Sequence, residues 1–252
     1  MNPNELSTDT ALVSAIRERY LRVLDVIHAA ARAAGRDPGA VRLVVVTKTH
    51  SSEAVRAAVA AGARDLGENY VEEAIGKIEA IGPVAGLRWH MIGHVQSRKA
   101  DGVAAGAFHM LHSLDSLKLA ARLDRFAGQA GRKLPVLLEV NVSGEQSKFG
   151  FPVWAEAQWQ AWRPELEQLL ALPNLDVRGL MSMPPFAEQA EASRPYFEKV
   201  VAFQAFLAKH YPQVAWKELS MGTSIDYAVA VASGATLVRV GTAIMGARPP
   251  KQ

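Results

Sequence analysis

The chain has 252 residues, 49% hydrophobic and 21% charged, which suits a globular protein with room for one α/β barrel or two smaller domains. It holds no cysteine, which excludes disulfides, iron–sulfur clusters, cysteine-ligated zinc and thiol nucleophiles. The formal charge of +3 is scattered along the chain with no basic stripe, so nucleic acid is not an expected partner.

The first segment, MNPNELSTDTALVSAIRERY, lacks the basic-then-apolar pattern of a secretion signal and reads as cytoplasmic. From about residue 10 to 34, Leu12, Ile16, Tyr20, Val23, Leu24 and Ile27 recur at helical spacing, which predicts an amphipathic helix ending near Gly35. Strand and helix patterns then alternate. VRLVVVTK (41–48) is a β-branched, buried strand, and SSEAVRAAVAAG (51–62) a helix with a Ser cap and a Gly stop. ARDLGEN (63–69) precedes helix 70–81, LRWHMIG (87–93) precedes helix 95–106, and AFHMLHSL (107–114) precedes helix 116–131. KLPVLLEVNV (133–142) is the clearest strand, followed by a helical region over 152–171. LDVRGLMSM (175–183) leads to helix 188–210, AWKELSMG (215–222) to helix 224–234, and TLVRVGTAIMG (236–246) closes the series.

Eight such units without a composition break predict an α/β fold: a single (β/α)8 barrel domain over 1–252 carrying an extra N-terminal helix. A doubly wound open sheet is the alternative. The least polar stretch, YAVAVASGATLVRVGTAIMG, is interrupted by glycines and by Arg239, so no membrane span is expected. In a barrel the chemistry belongs at the C-terminal strand ends. Lys48 surfaces at the first of these. A desolvated lysine is more often a free amine, and free amines form Schiff bases with aldehydes. Taken alone, a lysine there is more often simply a soluble end to a strand.

The seventh and eighth strand ends suit a phosphate. Gly222 followed by Thr223-Ser224 is read as a turn into a helix, where free N–H groups and a hydroxyl bind an anion. An ordinary N-cap is the plainer reading of that serine. Gly241 lets an oxyanion approach the backbone, and Thr242 adds a hydroxyl. Arg239 shares a strand face with Gly241 and is costly inside a sheet unless a partner meets it. An aldehyde for Lys48, a phosphate for two turns and a ring acceptor for Arg239 together describe pyridoxal 5′-phosphate. A guanidinium keeps its proton, so the ring nitrogen it faces stays unprotonated and the ring is a weaker electron sink.

VVVTKTH, DLGENYVEE, RWHMIGHVQSRK, EVNVSGEQSKFGF, RGLMSMPPF and ELSMGTSIDYAVAVASGATLVRVGTAIMGAR run in order from about 40 to 248. Together they resemble the pyridoxal phosphate homeostasis (YggS/PROSC) family, which is similar in fold to the barrel domain of alanine racemase. The resemblance implies a binding protein without established catalysis that buffers or delivers the cofactor inside the cell. It implies Lys48 as the Schiff-base lysine, Asn69 beside the ring and Arg239 at the pyridine nitrogen. Ser224, Gly241 and Thr242 would hold the phosphate with backbone help from Met221 and Gly222. His90, Met181 and Ser182 would line the pocket. Lys148 is a candidate second lysine. Thr223 stands where the family usually has methionine, and His50 also departs from the common pattern.

An amino-acid racemase is the competing activity. It needs a second base opposite Lys48, which alanine racemase draws from an added β-domain, and the span from Val240 to Gln252 has no room for one. A metal site is not expected, because His90/His94 straddle a strand end and His109/His112 lie in a strand. Trp154, Trp159 and Trp162 read as helical core or surface packing. The expected partners are the cofactor and, transiently, apo-enzymes that use it. The chain is expected to be a monomer.

Overall fold

The structure, a computed structural model, describes residues 9–247. Positions 1–8 and 248–252 of the expected domain lie outside the described residues. The helix α1 (Thr10–Ala33) comes first, capped by the Asp9 carboxylate, which accepts from the Ala11 N–H at 2.9 Å. Eight parallel strands follow: β1 (Arg42–Val46), β2 (Asp65–Glu68), β3 (Arg88–Met91), β4 (Met110–Leu114), β5 (Leu134–Asn141), then β7 (Leu175–Met181), β8 (Glu218–Ser220) and β9 (Leu237–Val240) after a two-residue β6 (Phe151–Pro152). The helices between them are α2 (Ser52–Ala60), α3 (Val71–Ile81), α4 (Ala100–Ala104), α5 (Leu117–Gln129), α6 (Glu156–Leu170), α7 (Arg194–His210), α8 (Tyr227–Ala232) and α9 (Thr242–Met245).

Each strand pairs with the next, β4 joins β5, and β9 returns to β1, so the sheet closes. β6 pairs with β5 alone and stands outside the ring. The doubly wound alternative is thereby excluded. A closed ring leaves no free sheet edge, and right-handed crossovers put the helices outside. α1 packs against α2, α8 and α9, over the seam where β1 meets β9, with Ile16, Val23, Ile27 and Ala31 buried.

Several elements are shorter than the sequence predicts. The 95–106 helix is a 3₁₀ turn, Ser97–Lys99, and the five-residue α4, which holds Gly102 and stops before Gly106, both poor helix formers. The 152–171 helix starts at Glu156, because Phe151–Pro152 pairs with β5. The 188–210 helix starts at Arg194 after a 3₁₀ turn over Ala190–Ser193, with proline in its first turn. The 224–234 helix starts at Tyr227.

The inward face follows the period of two. Val44, Met110, Leu137, Met181 and Leu237 form an apolar plug across the barrel interior. The interior also holds His90, His112, Ser220 and Arg239, all buried. The larger core lies between strands and helices and includes Leu66, Phe108, Phe197 and Phe203. Trp159 and Trp162 are buried there, with ring centroids 5.2 and 5.9 Å from Phe203, and Trp154 lies at the surface.

Candidate cofactor site

At the C-terminal ends of the strands a cavity of about 650 Å³ opens. Val44, Val46 and Lys48 share the inward parity of β1, so the chain that fills the plug with Val44 brings Lys48 to the cavity wall. Asn69 reaches it from beyond β2 and Arg239 and Gly241 from β9, and Ser224 and Thr242 complete the expected set. Six sequence-predicted residues therefore meet in one cavity.

The bend after Lys48 has its own support. Thr49 has φ +65°, a left-handed conformation costly for a β-branched residue. Its N–H donates to Glu73 Oε1 at 2.5 Å. The Lys77 ammonium, 5% exposed, donates to Glu73 Oε1 at 2.6 Å, Glu68 Oε1 at 2.7 Å and the Thr47 carbonyl at 2.7 Å. Burial raises the Glu68 pKa above its ordinary value, and bonds from Lys77 and the Thr47 hydroxyl oppose that rise. A buried cation held by two carboxylates thus fixes both residues flanking Lys48. The sequence carried a signal for it: Lys77 continues the buried face of α3 set by Val71 and Ala74.

Arg239 is 4% exposed. Its Nη1 donates to the Ser220 carbonyl at 2.7 Å and hydroxyl at 2.6 Å, and its Nη2 to the Ser182 carbonyl at 3.0 Å and the Met183 sulfur at 2.9 Å. Burial lowers its pKa to about 10, against the pull of Glu139 and Asp226, so it remains a cation at neutral pH.

A buried hydrogen-bond chain runs from Arg239 toward the other end of the barrel. Ser220 Oγ lies 2.8 Å from His112 Nδ1, His112 Nε2 lies 2.9 Å from His90 Nδ1, and His90 Nε2 lies 2.8 Å from Asp65 Oδ1. Burial lowers both histidine pKa values, His112 well below the ordinary range, so both rings are neutral at pH 7. Burial would raise Asp65, but its bonds to His90 and Arg88 outweigh this and lower its pKa. A carboxylate only accepts, which fixes every proton: His90 Nε2–H to Asp65, His112 Nε2–H to His90, and Ser220 O–H to His112. Ser220 Oγ is left with lone pairs for the Arg239 N–H.

The anion-facing turns differ in detail from the sequence reading. Ser224 does not open a helix. The cap of α8 is Asp226, whose Oδ1 accepts the Thr223 N–H at 2.7 Å. The Ser224 hydroxyl instead reaches across to the start of α9, accepting the Gly241 N–H at 3.2 Å and the Ala243 N–H at 3.5 Å. Gly222 has φ +92°, and a Cβ there would lie 2.5 Å from the Ala230 Cβ. Its carbonyl accepts the Arg239 N–H at 3.0 Å.

Five expected residues are not in the cavity wall. His90 lies beneath it in the chain of hydrogen bonds, Met181 belongs to the plug, and Ser182 gives its carbonyl to Arg239. Met221 is buried in the outer core, and Gly222 acts through its turn. The wall includes residues the sequence reading passed over, among them Val46, Ile92, Met183 and Ile225. Val46 and Ile92 were recoverable, since each stands two residues beyond a buried inward position. Lys148 donates to the Pro184 carbonyl at 3.3 Å and borders a smaller hollow that shares Met183 and Ile225 with the cavity.

The profile of the family described as alanine racemase, N-terminal domain, matches residues 24–249. The pyridoxal phosphate homeostasis protein of Pseudomonas aeruginosa is 43% identical over 242 residues, covering 94% of this chain and 97% of its own length. That of Escherichia coli K12 is 39% identical, covering 92% and 97%. PipY of Synechococcus elongatus PCC7942, solved with PLP bound, superposes with a TM-score of 0.78 at 38% identity, covering 92% of this chain and 100% of its own. Alanine racemase from Corynebacterium glutamicum shares the fold alone, with a TM-score of 0.68 at 16% identity, covering 92% of this chain and 61% of its own. The chain therefore belongs to the pyridoxal phosphate homeostasis protein family, built on the barrel of the alanine racemase N-terminal domain.

Proposed function

We propose that this chain binds pyridoxal 5′-phosphate in the 650 Å³ cavity and acts in intracellular homeostasis of that cofactor, by buffering or delivery. The observation that carries the proposal is the convergence of Lys48, Arg239 and the Ser224, Gly241 and Thr242 turns on one cavity. The residues present suit the group. Asn69 Oδ1 is buried and has no hydrogen-bond partner among the described residues, an orphan that a polar ligand atom would satisfy. The Ser224 hydroxyl gathers the Gly241 and Ala243 N–H groups at the cavity wall, so an anion entering there meets a hydroxyl donor beside main-chain N–H groups. When bound, the cofactor supplies an aldehyde that an amine captures as a Schiff base.

Lys48 is the amine in this proposal. Arg239 faces the pyridine nitrogen and, already committed to Ser220 and Ser182, presents an N–H from a fixed position. Met221 and Gly222 hold the turn that sets Ser224. His90, Met181 and Ser182 support the floor rather than touch the ligand. The pyridoxal phosphate homeostasis protein of Pseudomonas aeruginosa and PipY solved with PLP bound support this reading.

A racemase is less well supported. Among the described residues, Lys48 and Arg239 are the titratable side chains in the cavity wall, and Arg239 does not give up its proton. The wall thus offers one base where racemisation needs two. The carrier reading brings with it a monomer in the cytoplasm that meets apo-enzymes transiently. Among the described residues no helix is long and apolar enough to cross a membrane. Titrating the protein with pyridoxal 5′-phosphate tests the proposal. The expected result is a saturable visible absorption band that Lys48→Ala abolishes, without turnover in amino-acid racemase assays. A band unchanged in the variant would overturn it.

A further inference from the structure

The buried chain that begins at Arg239 ends on Asp65, at the other rim of the barrel. Asp65 opens β2, whereas the cavity lies beyond the C-terminal strand ends. His90, His112 and Ser220, between them, are wholly buried. Every nitrogen of the two rings has one hydrogen-bond partner in this chain. A neutral imidazole carries one proton, so the two rings hand hydrogen bonds on in one direction only. A cation at one end and a carboxylate at the other align the donors from Arg239 through Ser220, His112 and His90 to Asp65. Aligned bonds strengthen one another.

The direction matters at Ser220. As the chain stands, its O–H goes to His112 and a lone pair receives Arg239 Nη1 at 2.6 Å. In the reverse direction both lone pairs receive N–H groups, from His112 and from Arg239. The buried hydroxyl proton then meets no acceptor in the chain, which is costly. The far end decides which direction holds. Arg88 Nη2 donates to Asp65 Oδ2 at 2.6 Å, and His90 Nε2 lies 2.8 Å from Oδ1. A guanidinium only donates. An amide in place of this carboxylate would therefore give its oxygen to Arg88 and its N–H to His90, and so turn the chain round.

We propose that Asp65 is a positioning residue for the cofactor: by accepting from both Arg88 and His90 it directs the chain so that Ser220 holds Arg239 still behind the pyridine nitrogen. Asp65 itself touches no ligand. Arg239's target rests on the cofactor reading above, but the direction of the chain and the hold on Arg239 belong to the cofactor-free protein and are measured there.

Nitrogen NMR of the imidazoles in the cofactor-free chain at neutral pH gives the direction and needs no variant. The expected result is a proton on Nε2 of both His90 and His112. A neutral ring with its proton on Nδ1, or an imidazolium, would overturn the proposal. Asp65→Asn is expected to move both protons to Nδ1 and to speed rotation of the Arg239 guanidinium in the cofactor-free chain. It is also expected to weaken pyridoxal 5′-phosphate binding roughly three- to tenfold, with a displaced visible band. The double variant Asp65→Asn, Arg88→Met frees the amide oxygen for His90, and is expected to restore the Nε2 tautomers and most of the affinity. Weaker binding with unmoved tautomers, or moved tautomers with parental guanidinium rotation and affinity, would overturn the proposal. A parent chain that fails to bind the cofactor, yet shows both Nε2 protons and the Arg239 response, would sink the cofactor reading while upholding the direction of the chain and its hold on Arg239.

Discussion

Arg239 Nη1 lies 2.6 Å from Ser220 Oγ, inside the barrel and out of reach of solvent. The serine hydroxyl accepts from the arginine and donates to His112, so it joins the cavity to the two buried imidazoles. Ser220→Ala removes the acceptor for one and the donor for the other. The expected cost is about 1–3 kcal/mol of folding stability, measured by urea unfolding. A change within about 0.5 kcal/mol, the scatter of an ordinary surface substitution, would mean the chain does not matter to the fold.

Gly222→Ala tests the turn beneath the anion-facing loop. At φ +92° a side chain is strained, and its Cβ would meet the Ala230 Cβ at 2.5 Å and the Tyr227 Cα at 2.9 Å. The expected loss is roughly 1–3 kcal/mol, with weaker cofactor binding because Ser224 moves with the turn. Thermal unfolding with and without pyridoxal 5′-phosphate reads both effects.

Glu139 gives stability a pH dependence. Burial, then Asp115, push its carboxyl up to about 7, while Arg239 and Lys148 pull it down. The folded state therefore holds this proton when the unfolded chain, at the ordinary 4.5, has lost it. Folded protein binds more protons between about 4.5 and 7, so this group lowers stability as pH rises through that window. Glu139→Gln is expected to be more stable than the parent at pH 8, by on the order of 2–3 kcal/mol, and nearly equal at pH 4.5. Unfolding free energies at the two values check it, and a gain equal at both would point to a cause other than titration.

Lys77→Met removes the buried cation behind the Lys48 bend. Glu68 and Glu73 would then face each other unpaired, at an expected cost of about 3–5 kcal/mol. The double variant Lys77→Met, Glu68→Gln is expected to recover part of it, which denaturant unfolding of the pair would show.

The barrel was legible because its strands are short, β-branched and separated by amphipathic helices, so the pattern from Val41 to Gly246 repeats eight times. Lys48, Arg239 and Gly241 were legible because the period of two sets their direction once the strand is known. What the sequence hid depends on pairing between strands. His90 and His112 look like pocket-lining or metal-spaced residues until β3 and β4 set their rings 5.0 Å apart between Asp65 and Ser220. Ser224 reads as a helix opener because Ser is a common cap, yet α8 begins only after Asp226, whose carboxylate turns back to the Thr223 N–H. Met183 could not be placed without the Arg239 rotamer that touches it.

The carrier reading meets its most direct test in borohydride reduction of the protein loaded with pyridoxal 5′-phosphate, followed by digestion and peptide mass mapping. The expected product is a single phosphopyridoxyl group fixed to Lys48. Label on Lys148 or on another lysine, with Lys48 unmodified, would contradict it.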